Sequence, residues 1–249
     1  MDRSIDMPAT LPTGAATMGP AMAAMRAYPR YLLELLAPAL GRRILEIGVG
    51  HGNYTEWLLD RGDVLGVDID DACLAAARER FGARGLRTAR MDLSDPDSIA
   101  ACAWFAPDSV VCVNVLEHIP DDAAALRGLT GIVAPGGTLG LIVPAHQALY
   151  GRMDAEAGHF RRYSRRAVRE LLARTGWRVE TCRYVNALGA AGWWWHNRVR
   201  HQAGLKDAAV NRQMLAGDRW LPRMARLTDP LLGRVCGLSV AAIGRRIAS

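Results

Sequence analysis

Residues 44–52, Ile44-Leu45-Glu46-Ile47-Gly48-Val49-Gly50-His51-Gly52, run a short apolar segment directly into three glycines at alternate positions. Ile44, Leu45 and Ile47 suit a strand buried in a parallel sheet, and the glycines permit a tight turn that a ligand can approach closely. A strand entering such a turn builds a nucleotide-type site. Spacing then selects the ligand: a dinucleotide fingerprint, Gly-x-Gly-x-x-Gly, needs its third glycine where Asn53 stands. Glu46, just before the first glycine, would repel a diphosphate and suits a cationic ligand.

Outward from this turn, strand and helix patterns alternate. Strands are predicted at 42–47, 64–67, 86–91, 109–113, 138–143 and 178–184, with helices at 52–61, 71–81, 97–104, 121–133 and 164–175. That order with short connections predicts an α/β fold, a mostly parallel sheet with helices on both faces and functional residues at the strands' carboxyl ends. A further helix over 23–40 covers the edge or mouth of the site, and a last strand at 237–244 returns beside the sixth. Residues 1–20 read as a disordered tail and 21–249 as a single domain, with a helical cap insertion at about 187–236. The run Trp193-Trp194-Trp195 in that insertion is expected to serve core packing.

Half of the 249 residues are hydrophobic, which fits a globular chain, and no apolar run approaches the roughly 20 residues that span a bilayer. With no apolar signal segment at the N-terminus, a cytoplasmic location and no transmembrane segment are expected. Five widely spaced cysteines read as buried thiols. His51, His118, His146 and His159 are too scattered to make a metal motif by spacing, so no metal is expected. Charge is uneven: residues 1–150 carry 12 Lys+Arg against 18 Asp+Glu, and residues 151–249 carry 19 against 7. Such asymmetry admits nucleic acid, an anionic surface or an acidic small substrate. Every basic residue except Lys206 is arginine and no nucleic-acid module is visible, so no nucleic-acid partner is expected.

The strand tips sharpen the ligand. Asp68 ends the second strand about twenty residues after the glycine turn, where a carboxylate can accept both hydrogen bonds of a ribose diol; Asp70 fits a helix cap better. Asp92 ends the third strand, and Val113-Asn114-Val115-Leu116-Glu117-His118-Ile119-Pro120 follows the fourth. With Leu45-Glu46-Ile47-Gly48-x-Gly50-x-Gly52, these resemble the ordered motifs of class I S-adenosylmethionine-dependent methyltransferases, over roughly residues 25–145. The resemblance implies a Rossmann-like seven-stranded sheet, S-adenosylmethionine as cofactor and an enzyme. It further implies that Glu46, Gly48, Gly50, Gly52, Asn114 and Leu116 border the cofactor, that Asp68 takes its ribose and Ile69 an adenine face, and that Asp92 and Leu93 meet the adenine edge.

Acceptor chemistry is expected later in the chain. Leu149-Tyr150-Gly151-Arg152-Met153-Asp154 through Gly158-His159-Phe160-Arg161-Arg162-Tyr163 looks like a subgroup of bacterial methyltransferases linked with glycan or secondary-metabolite pathways. Arg161 and Arg162 are candidate anion contacts, with Tyr28, Tyr31, His146 and Tyr150 as further substrate contacts. The competing reading leaves the arginines solvated or paired with the acidic half. His159 is the first candidate proton acceptor, followed by His118 and Tyr163. The expected function is methyl transfer to a small, anionic metabolite at O, N or C, with a carboxylate, phosphate or lipid-linked acceptor; oligomeric state is open. Two alternatives stand beside it: an S-adenosylmethionine-dependent cyclase, and a noncatalytic membrane-associated binding protein.

Overall fold

The computed structural model describes residue 17, residues 19–195 and residues 207–247. Most of the expected tail, residues 1–16 and 18, lies outside the described residues, while Pro20 already opens a helix.

The strands are β1 (Arg43–Ile47), β2 (Asp63–Asp68), β3 (Arg87–Arg90), β4 (Ser109–Val113), β5 (Thr138–Pro144), β6 (Trp177–Val185) and β7 (Ser239–Arg246). They form one sheet in the order β3-β2-β1-β4-β5-β7-β6. Pairing is parallel from β3 to β5, and β7 inserts antiparallel between β5 and β6. The order reverses beside β1. That places the glycine turn and the β4 tip at the crevice where ligands of such sheets bind.

Helices are α1 (Pro20–Ala24), α2 (Ala27–Leu36), α3 (Thr55–Leu59), α4 (Asp71–Phe81), α5 (Pro96–Ala100), α6 (Asp122–Ile132), α7 (Arg152–Glu156), α8 (Arg165–Arg174), α9 (Ala187–Trp195) and α10 (Ala208–Leu232). Consecutive strand residues face opposite layers, so Leu45 and Val110 join one core with Leu126, Leu129 and Trp177, while Ile44 and Val111 join the other with Leu36, Leu74 and Phe81. Asp70, Asp95, Asp121, Ser164 and Asp207 cap helix N-termini through their side chains, as Asp70 was expected to do.

Three expectations need correction. The helix expected over 52–61 is only Thr55–Leu59, because the positive φ at Gly52 extends the turn. The helix expected over 23–40 is split: Asp218 of α10 takes the backbone N–H groups of Arg26, Ala27 and Tyr28 at 3.0, 3.1 and 2.7 Å and starts α2 there. A 3-10 turn, Ala37–Ala39, follows at Pro38. The tryptophan run of α9 does not pack into the core as a unit: Trp193 is half-buried and donates to the Leu149 carbonyl, while Trp194 and Trp195 are exposed. No helix among the described residues is long and apolar enough to cross a membrane.

Candidate active site

The turn after β1 is held by its own backbone: Gly48 and Val49 N–H groups donate to the Val67 carbonyl at 2.8 and 3.0 Å, and Gly52 N–H to Val49 at 2.7 Å. Gly48, Gly50 and Gly52 all have positive φ, so the conformation itself requires glycine. Packing adds a second demand. A Cβ on Gly48 would stand 2.6 Å from Val115 Cγ2, and one on Gly52 would enter the Phe81 ring. Gly52 therefore answers to α4 packing as well as to the turn. Beneath the turn, buried Glu46 accepts from Thr55 Oγ1 at 2.7 Å through Oε2, while Oε1 has no partner. Burial pushes the Glu46 carboxyl up to about 8; the Thr55 bond opposes this and Asp68 reinforces it.

Asp68 is buried and accepts from Gly50 N–H at 2.9 Å and Asp70 N–H at 3.0 Å, so it braces the glycine turn at the tip of β2. Ile69 is half-buried beside it. Asp92, past β3, takes the Ser94 N–H at 2.7 Å in a side-chain turn, next to buried Leu93. Asn114, His146 and Asn186 all have positive φ, at 53, 61 and 61°. They stand just past β4, β5 and β6, so the sheet's carboxyl edge carries three strained backbones, two of them on neighbouring strands. Leu116 is buried.

Past β4 and β5 the acceptor-side residues converge. His159 Nδ1 lies 2.8 Å from Asp154 Oδ1, and its Nε2 lies 3.8 Å from Glu117 Oε1. Asp154 also accepts from Arg162 Nε at 2.8 Å and Gly151 N–H at 2.9 Å, so one buried carboxylate orients both His159 and Arg162. Glu117 is fully buried with neither oxygen hydrogen-bonded. Burial raises its carboxyl to about 7, against the opposing pull of His159. His118 meets His159 edge-on at 4.7 Å, and burial with the neighbouring His159 lowers it to about 4. Tyr54, which the sequence reading passed over, is half-buried near Tyr28, Glu46 and Glu117, and desolvation raises its phenol.

The structure reassigns several candidates. Tyr163 is buried with its hydroxyl on Asp122 Oδ2 at 2.9 Å, and burial, then Asp122, raise its pKa; it is a poor proton acceptor. Arg162 is buried against Asp154, donates to the Ala145 carbonyl at 3.2 Å and lies 4.8 Å from the Trp193 ring centre. Arg161 holds Asp122 at 3.0 Å and the Pro120 carbonyl at 2.6 Å. Both guanidiniums are thus paired within the protein, as in the competing reading. Tyr31 is buried with its hydroxyl on Asp229 at 2.6 Å, and Tyr28 accepts from Asn186 Nδ2 at 3.0 Å; these contacts tie α2 to the cap. Tyr150 donates to the His159 carbonyl at 2.7 Å, and His146 stacks on Tyr184 at 4.4 Å. Donor atoms of Glu117, His118 and His159 lie within 4.8 Å of one another, a set that could hold a metal ion. The spacing argument against a histidine cluster fails because β4 and the segment after α7 meet in space.

Residues 22–181 match the family model described as a methyltransferase domain. The chain is 35% identical over 100 residues to the ubiquinone biosynthesis O-methyltransferase of Methylococcus capsulatus, covering 40% of this chain and 42% of that protein. It is 37% identical over 134 residues to the trans-aconitate 2-methyltransferase of Variovorax paradoxus, covering 47% and 48%. The chain thus spans less than half the length of these curated relatives. Among solved structures it is similar to an S-adenosylmethionine dependent methyltransferase from Mesorhizobium loti, with a TM-score of 0.57, 18% identity and coverage of 90% of this chain and 100% of that one. The chain belongs to the methyltransferase-domain family, and its fold is the Rossmann-like one of that solved structure.

Proposed function

We propose, from membership of that family as the premise, that the chain methylates a hydroxyl or amine of a small-molecule acceptor and that His159 takes the acceptor's proton. One observation carries the reading: Asp154 fixes His159 Nδ1 at 2.8 Å and leaves Nε2 turned toward the buried Glu117. A carboxylate on one ring nitrogen selects the tautomer whose other nitrogen can accept a proton, and stabilises the imidazolium that results. Arg162 holds Asp154 in place, so this is a supported base rather than a lone histidine.

The residues at the glycine turn fit the cofactor. Glu46 Oε1 is a buried, unpartnered acceptor beneath the turn, suited to a cation. Gly50 exposes no side chain where the backbone bends, and Asp68 and Asp92 bring carboxylates to the β2 and β3 tips for ribose and adenine. When bound, S-adenosylmethionine supplies an electrophilic sulfonium methyl group. The chain's own work is then alignment and proton removal: alignment is worth roughly 7–11 kcal/mol, and a general base about 10²- to 10⁴-fold in rate.

The names of the relatives support small-molecule acceptors of two kinds, one methylated at oxygen in ubiquinone biosynthesis and the other trans-aconitate. Of the two we favour a hydroxyl-bearing acceptor, since both arginines of the basic segment are already paired. Incubation with labelled S-adenosylmethionine and panels of phenols, amines and carboxylic acids tests this. A methyl gain on a phenol or amine, with activity falling about 10²- to 10⁴-fold in His159→Gln, is expected. Carboxylate methylation with no dependence on His159, or acceptor-independent release of methylthioadenosine, would refute it.

A further inference from the structure

The outward face of α10 is built unlike the rest of the surface. Trp220, Met224, Leu227 and Leu231 follow at helical spacing and are 51, 39, 70 and 78% exposed. Leu232 and Val235 continue the apolar surface past the helix end, and exposed Trp194 and Trp195 belong to α9, which packs against α10. Arg212, Arg219, Arg223 and Arg226 are exposed along one flank of the stripe, with Arg226 reaching Glu34 at 2.6 Å. The helix has only two acids, and both are turned inward. Asp218 caps α2, and Asp229 takes Tyr31 together with the Asn186 and Ala187 N–H groups. What α10 offers outward is therefore aliphatic and indole surface bordered by positive charge alone.

We propose that this face binds an anionic lipid surface, with α10 lying in the interfacial plane. An amphipathic helix with large apolar side chains at its pole and arginines alongside has the two attractions that hold peripheral helices on such membranes. Charge argues against the other occupants. A second copy docking by two-fold symmetry would set arginine rows together with no acid on α10 to answer them. A nucleic acid would be drawn to the arginines but would gain nothing from an aliphatic pole. The inference does not depend on the role given to His159.

Flotation of the full chain with phosphatidylcholine vesicles, with and without phosphatidylglycerol, tests it. Binding is expected only with the anionic lipid and weakens as salt rises. Arg219→Gln with Arg223→Gln lowers partitioning about thirtyfold, at one surface arginine's usual contribution each. Leu227→Glu with Leu231→Glu abolishes it, while melting temperature and S-adenosylhomocysteine affinity stay unchanged in both variants. Absence of binding by the folded wild-type chain, or binding that the Leu227/Leu231 variant retains, would overturn the proposal. So would light scattering that finds a dimer which the same variant splits, together with no vesicle binding, because the face is then a subunit interface.

Discussion

Glu46→Gln removes one buried charge beneath the glycine turn and leaves its shape and its Thr55 hydrogen bond available. With its carboxyl near 8 through burial, Glu46 is about ten parts protonated to one ionised at pH 7. A ligand bringing an ammonium group to Oε1 favours the carboxylate, so binding should expel about 0.9 proton at pH 7 and about 0.1 at pH 9. Calorimetry with S-adenosylhomocysteine in buffers of different ionisation enthalpy reads this number directly. In Glu46→Gln that release disappears, and affinity falls roughly ten- to 150-fold with the loss of a charged hydrogen bond of about 1.5–3 kcal/mol. Stability moves the opposite way. A folded value of about 8 above the ordinary 4.5 gives stability that is full below 4.5 and lost as pH rises through 8, a change of about 5 kcal/mol. The glutamine variant has no such loss, so it should melt above the wild-type chain near pH 9 and close to it near pH 5. Proton release and affinity left unchanged by the substitution would refute the assignment of Glu46 to a cationic group.

Asp154→Asn should cut turnover about 10²- to 10⁴-fold in a methyl-transfer assay and lower stability by about 3–5 kcal/mol, since Arg162 loses its buried partner. Cofactor affinity should hold; full turnover in a folded variant would remove the His159 proposal. Tyr163→Phe should cost about 1–3 kcal/mol in urea unfolding, from the lost bond to Asp122, with kcat preserved. A collapse of kcat would return Tyr163 to the chemistry. Gly136→Ala, at positive φ in open space, should cost about 1–2 kcal/mol, and Gly52→Ala should cost about 1–3 kcal/mol more because its methyl enters Phe81. Equal losses would show that backbone conformation alone explains Gly52.

The strands were legible because each buried one is a compact apolar run, as at Ser109–Val113, and several helix starts carry a short polar cap such as Asp70 or Ser164. The cofactor side of the site followed from where those strands end. The pairing of charges on the acceptor side was not legible, because sequence shows that Arg161 and Arg162 are basic but not that Asp122 and Asp154 lie beside them. His118 and His159 are forty-one residues apart, and only the meeting of two loops makes them neighbours. Asp218 and Asp229 gave no local sign of their role, since their partners lie 190 or more residues away, or 42 and 43 residues away for the Ala187 and Asn186 bonds to Asp229. The tryptophan run failed for a simpler reason: apolar character does not say whether a residue meets the core or an external surface.

The antiparallel insertion of β7 has a consequence for the order in which the chain acquires its structure. Strand β6 has no neighbour in the sheet except β7, and α2 receives its N-terminal cap from Asp218. At about 5–20 residues per second, the ribosome needs roughly 3–12 seconds after finishing β6 to deliver the last strand. During that interval the completed sheet from β3 to β5 has an open edge at β5, with apolar Leu139, Leu141 and Val143 beside it. The nascent chain is most exposed to misassociation in that interval, and a chain that stops short of residue 239 keeps that edge for its lifetime.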